Sequence, residues 1–441
     1  MSHATFPPRS AARWLAPALA LVAAATAAPA SAAGWRLEPI AASTGVVELH
    51  DLDFDAHGNA LLSWSGSSRD RVAPLLGAVA LRDPAGGWLR SPDLAGVQAA
   101  GARIHMVGAA RTLLVAREEE TRANRRRLVV AEGLSDGGFG PLAALDDFVS
   151  EHWSDASASG DAIVAWLGER SPFIRVAERS AGQPFGPPRD LAVGRTAAVA
   201  INARGDRVLA WRAGRRLAAR VRPAGGEWSP TARFGRVRTI AGLRLSVLAA
   251  PSGRIVLAWG RVGGHCGVSV RDGAARWRTR ALERRCGPAG VPASAAPVLA
   301  VADDRGATYV AWTGRTRSGR RAVKLARVGA RPSRAPLVLS RERGALLDDV
   351  AAGPRRALAI TYVAPRPTKA NPLLGATFAV VRRGGGAFGP AERLTPPGFA
   401  ALRGSRVAFQ PLTGEPVVAL PFLIGLETAV AAAVGPPAPA P

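Results

Sequence analysis

Short apolar runs, each following a glycine, recur along the chain. GNALLSW, GDAIVAW, GDRVLAW, GRIVLAW and GATYVAW all place a glycine six positions before a tryptophan. Degenerate versions, RTLLVA, RALAITY and GEPVVAL, extend the series, so the signature ends at Trp64, Ala116, Trp166, Trp211, Trp259, Trp312, Tyr362 and Leu420. Short apolar segments recurring about every 50 residues mark a propeller or a solenoid.

Each unit divides into four strand-like pieces. An alternating run such as LHDLDFDAHG or TAAVAINARG comes first, and the signature follows. A variable loop then leads to GAVALRD, IRVAERS or LAARVRP, and a glycine-rich turn opens a fourth piece at Trp88, Phe139, Trp228, Trp277 or Phe388. Four short antiparallel strands per unit, with no amphipathic helix, predict an all-β protein: a β-propeller of eight four-stranded blades. The C-terminal unit stops after TAVAAAV without a fourth strand, while GWRLEPIA (Gly34–Ala41) is a fourth strand with no blade before it. Placing GWRLEPIA in the last blade closes the ring and removes an open sheet edge. The repeated tryptophans are then packing residues between blades. Pro416–Val434, apolar enough to suggest a membrane span, is read as two strands of the last blade because Pro421 and Glu427 interrupt it.

Residues 1–32 carry Arg9 and Arg13, an apolar stretch and a small-residue ASA site, the pattern of a secretory signal peptide. The expected organisation is a leader at 1–32, one propeller at 33–434 and a Pro/Ala-rich tail at 435–441, in a secreted, extracellular or cell-surface protein. Cys266 and Cys286, the only cysteines, flank a turn at RDGAAR and predict a disulfide across one hairpin.

The glycine-aromatic turn at Asp83 with Trp88, Asp136 with Phe139, and Asp272 with Trp277 resembles the Asp-box turn of sialidase-like propellers. That resemblance implies the fold. Sialidase chemistry would imply a free tyrosine nucleophile, but Tyr309 and Tyr362 both occupy signature strands, so the catalytic set is not expected here.

Charge adds a further clue. The net charge is +25, almost all from arginine, which favours acidic polymers. Loops between second and third strands supply Arg125, Arg126, Arg127, Arg215, Arg216, Arg317, Arg320 and Arg321 to one face. These are the candidate ligand-binding residues, for an anionic cell-wall polymer, an acidic polysaccharide or a protein partner. The aromatics are committed to the core, which argues against nucleic acid. On this basis the expected function is a non-enzymatic binding or scaffolding propeller. The alternative is an extracellular carbohydrate-active hydrolase or lyase working at the tunnel mouth. For the alternative, Asp53, His105 and Asp155 fall at equivalent positions of three successive innermost strands, with His50, Asp51, His152 and Asp349 nearby. Carboxylates and an imidazole so placed could bind a divalent cation or share a proton, but no metal ligand is assigned and no cofactor is expected.

Overall fold

The structure, a computed structural model, describes residues 34–437 apart from 44–45, 68–75, 85, 91–98, 109–110, 121–124, 135–137, 237–242, 262–263, 287–297, 330–334, 366–374 and 425–426. The proposed leader therefore lies outside the described residues. The protein is all-β and propeller-like, built from repeated antiparallel sheets. No helix of the described residues is long and apolar enough to cross a membrane.

Six sheets have four strands each in sequence order, and one sheet has nine. The first strands of the units are Val46–Phe54, Ala99–Val107, Val149–Ala156, Arg195–Ile201, Leu243–Ala249, Val298–Ala302, Leu346–Ala352 and Arg406–Phe409. Each touches the next, and Arg406–Phe409 touches Val46–Phe54. The nine-stranded sheet consists of two four-stranded units joined by the two-residue strand Ala400–Ala401, which bonds Gly375 on one side and Phe422 on the other. Its last unit contains Glu427–Val434, against which Arg36–Ser43 pairs antiparallel from Arg36↔Val434 to Ser43↔Thr428. Pro416–Ile424 and Glu427–Val434 are two strands of this unit, as the interrupted apolar run suggested.

The sequence pattern follows from where each strand sits. Second strands are covered on both faces, so Ala162–Trp166 and Val208–Arg212 are buried without alternation. The signature aromatic packs against the preceding sheet: Trp64 clusters with Val417, Ala419 and Val430, and Trp259 with Ala210 and Leu217. The recurrent glycine belongs to the turn between first and second strands. Asp55, Asn202 and Asp303 begin such turns, and each side chain accepts hydrogen bonds from backbone N–H groups two and four residues on. The turn then needs a left-handed residue, with φ of 85° at Gly58 and Gly205 and 74° at Gly306. In the seventh unit Arg356 takes that place at φ 61°.

Carboxylates in outer strands tie neighbouring sheets together. Asp146 accepts from Trp166 Nε1 (2.6 Å) and Arg175 Nη1 (2.7 Å) of the following sheet. Glu283 likewise accepts from Trp312 Nε1 (2.9 Å), Lys324 Nζ (3.0 Å) and the Arg315 N–H (2.7 Å). Glu38, on Arg36–Ser43, accepts from buried Arg82 and from Trp88 of the unit that follows it in space. Cys266 and Cys286 form the disulfide, joining adjacent strands Gly264–Asp272 and Arg278–Cys286.

Candidate functional site

The positions of Asp53, His105 and Asp155 are equivalent by strand register. They stand opposite Leu61, Leu113 and Ile163, each three residues before its signature position. Their side chains nevertheless turn to different partners. Asp53 Oδ2 accepts from the Met106 N–H (2.9 Å) and Oδ1 from the Phe54 N–H (2.9 Å). Asp155 does the same with Ile201 (2.8 Å) and Ala156 (3.0 Å). His105 Nε2 lies 2.8 Å from Ser154 Oγ. The three make no hydrogen bonds to one another, because in each sheet this position faces the next sheet rather than its counterpart. Among the described residues no group of three His, Cys, Asp or Glu side chains is placed to hold a metal ion.

Electrostatics separate these groups. Burial pushes Asp53 and Asp155 up to about 7, and the charge of Asp51 adds to the shift while the backbone N–H donors oppose it. Burial lowers His105 to about 4 even though Asp51 favours its charged form. Asp349, which accepts from the Val407 N–H (3.0 Å), is raised by burial to about 6. Near neutrality the site therefore holds carboxyl groups able to donate a proton beside a neutral imidazole.

Of the three candidates, Asp53 lines a cavity of about 640 Å³. Its walls include Met106, Ala158, Ala351, Val407 and Phe409, where first strands end and turn into second strands. Asp55, also in the wall, is committed to its turn through the N–H groups of His57 and Asn59. The arginine-bearing loops join second to third strands. Strands alternate in direction, so those loops lie at the other end of the sheets from the cavity.

The arginines themselves are heterogeneous. Arg126 pairs with Glu169 (3.3 Å), and Arg127 with Glu118 (3.5 Å) and Asp147 (3.4 Å). Arg215, Arg216, Arg317 and Arg320 are exposed and Arg321 is half-buried. The Arg125 side chain lies outside the described residues. Other arginines join sheets: Arg179 pairs with Glu132 (2.5 Å) and Arg222 with Glu178 (2.6 Å). Part of the arginine excess is thus structural.

Sequence reasoning missed two residues of the inner strands, Arg103 and Arg406. Arg103 stands opposite Val115 and Arg406 opposite Ala419, each one residue before the signature position. Asp51 opposite Ser63 and Asp349 opposite Thr361 occupy the same level. A charged residue inside an otherwise apolar strand was the available signal. It was hidden by bulges, since the register shifts between Leu49 and Asp51, Ala100 and Arg103, and Leu347 and Asp349.

No protein-family model matches the chain, and no curated protein does. Solved structures similar to it include AofleA from Arthrobotrys oligospora, with a TM-score of 0.39 and 12% identity over 68% of this chain and 87% of that one. An ulvan lyase, described as a new family of polysaccharide lyase, gives 0.46 and 11% over 93% and 96%. Prolyl oligopeptidase B from Galerina marginata gives 0.46 and 9% over 86% and 56%, so this chain spans about half that protein's length. The expectation of a non-enzymatic binder working through an arginine-rich loop face is corrected at that face. Arg126 and Arg127 there are engaged by carboxylates, and the alternative, an enzyme, is the reading taken up below.

Proposed function

We propose that the protein is an extracellular carbohydrate-active enzyme, a hydrolase or lyase, built on an eight-bladed propeller that Arg36–Ser43 completes. The contact of every first strand with the next supports the ring, and the leader-like N-terminus supports export. On this reading the first strands line a central channel, and the cavity is one mouth of it.

The observation that carries the enzymatic reading is Asp53. It is a carboxyl group raised to about 7 in the wall of a 640 Å³ cavity. A group in that range is half-protonated near neutrality, which suits a general acid for a departing glycosidic oxygen. The neutral imidazole of His105 and Asp155, raised in the same way, lie one and two blades on and could exchange protons with the solvent of the channel.

The test is depolymerisation. Purified protein is incubated with a panel of acidic and neutral polysaccharides, following new reducing ends and, separately, the ultraviolet absorbance of unsaturated sugars. Reducing ends without absorbance identify a hydrolase, and both together a lyase. The absence of cleavage across the panel would overturn the reading.

A further inference from the structure

The level of the channel next to Asp53 carries an unusual run of charge. Four consecutive first strands place Asp349, Arg406, Asp51 and Arg103 at one level. That level lies two residues from the level of Asp53, about 7 Å along the strand.

Neither arginine forms an ion pair among the described residues, although the charge of Arg406 acts on Asp349 and Asp348. Arg406 donates from Nε to the His50 carbonyl (2.9 Å) and from Nη1 to the carbonyls of Ser405 (3.1 Å) and Gly404 (3.4 Å). It forms no ion pair among the described residues, and its Nη2 has no partner there. The carbonyls fix the plane of the guanidinium without neutralising it. Arg103 is exposed, with no hydrogen bond or ion pair among the described residues.

His50 lies between the two, half-buried, with Nε2 2.8 Å from Ser65 Oγ. Burial holds it at about 3, and the charges that act on it, those of Arg406, Arg103 and His152, all disfavour its protonation. An arginine oriented by carbonyls and an exposed one at the same level, on the first strands either side of Val46–Phe54, offer planar donors for a planar or tetrahedral anion.

We infer that Arg103 and Arg406 form a subsite for an anionic sugar substituent, a carboxylate or a sulfate ester, beside Asp53. This rests on the carbohydrate-active reading and narrows it: the substrate is an acidic glycan, with its charged group about two residues from the proton donor. The loop arginines, at the other end of the sheets, do not take part.

The experiment separates binding from cleavage. The full chain is titrated calorimetrically with an oligogalacturonate hexamer, a sulfated dextran hexamer and maltohexaose, at physiological ionic strength. The expected result is binding of at least one acidic hexamer, with maltohexaose weaker by about tenfold or more. Arg103→Gln is expected to lose about tenfold in acidic affinity, as one charge-assisted contact implies, and Arg103→Lys to recover part of it. Arg317→Gln with Arg320→Gln is expected to change little. Arg406→Lys, checked by circular dichroism because Arg406 also holds backbone carbonyls, should follow Arg103→Gln.

Equal affinity of wild type for maltohexaose and both acidic hexamers would overturn the subsite, as would an unaltered Arg103→Gln. The carboxylate and sulfate arms identify which anion is read. Loss of acidic binding in Arg103→Gln by a wild type that cleaves nothing supports the subsite while overturning the enzyme.

Discussion

The Ile201 N–H donates to Asp155 Oδ2 across 2.8 Å from the neighbouring sheet, as the Met106 N–H donates to Asp53. Each acid therefore acts as a strut between first strands as well as a titratable group. Both are raised to about 7 by burial, so the folded state holds protons that the unfolded chain has released. The contribution of these two acids should be fully present near pH 4 and lost as pH rises towards 7, while the lowered His50 and His105 contribute in the opposite sense. The difference in melting temperature between wild type and Asp155→Asn, followed from pH 5 to 8, isolates the acid contribution. Asp155→Asn keeps the acceptor without the charge and should flatten the fall.

Glu38 holds the first described strand to the sheet beyond it through Arg82 and Trp88, and Arg36 of its own strand also donates to it. Burial opposes its ionisation, but hydrogen bonds from Arg82 and Arg36 hold its pKa below the usual range. Glu38→Ala leaves buried Arg82 without its counter-charge and should cost about 3 kcal/mol, measured by urea unfolding. This contribution is fully present above the ordinary glutamate range and is lost as pH falls through and below it.

The turn glycines give a matched pair. Gly205 sits at φ 85° and Arg356 at φ 61° in the corresponding turn of the seventh unit. Gly205→Ala should destabilise by about 1 kcal/mol, and Arg356→Gly should be neutral or stabilising by a similar amount. Denaturant midpoints decide both. Equal losses in the two variants would show that side-chain contacts, not backbone conformation, dominate the turn.

The disulfide closes a separation of 20 residues between adjacent strands. Cys266→Ala with Cys286→Ala should lower stability by about 3 kcal/mol on the chain-entropy argument. Cleavage of any accepted substrate should persist at low temperature, since the bridge lies far along the chain from Asp53.

The repeat was readable because one physical requirement is met many times. A second strand covered on both faces needs an unbroken apolar run, and its entry turn needs an Asx and a glycine, so Asn202–Trp211 writes both into ten residues. Equivalence of Asp53, His105 and Asp155 could also be read, because the turn fixes the count back to the first strand. Side-chain direction could not. Asp53 reaches Met106 and His105 reaches Ser154 because neighbouring sheets present different atoms at that level. The inter-sheet clamps at Asp146 and Glu283 were invisible for the same reason, being contacts between residues of different units. The loop arginines that looked like a uniform cationic rim divide into ion-paired, exposed and half-buried ones only once the strands are placed.

The pH dependence of depolymerisation by wild type and Asp53→Asn tests the central claim most directly. The account predicts cleavage of an acidic polysaccharide whose rate falls as pH rises through about 7, where Asp53 loses its proton. It predicts a loss of about a hundredfold or more in Asp53→Asn, with the melting curve still cooperative. A folded Asp53→Asn variant that cleaves at the wild-type rate, with the same fall above neutrality, would contradict it.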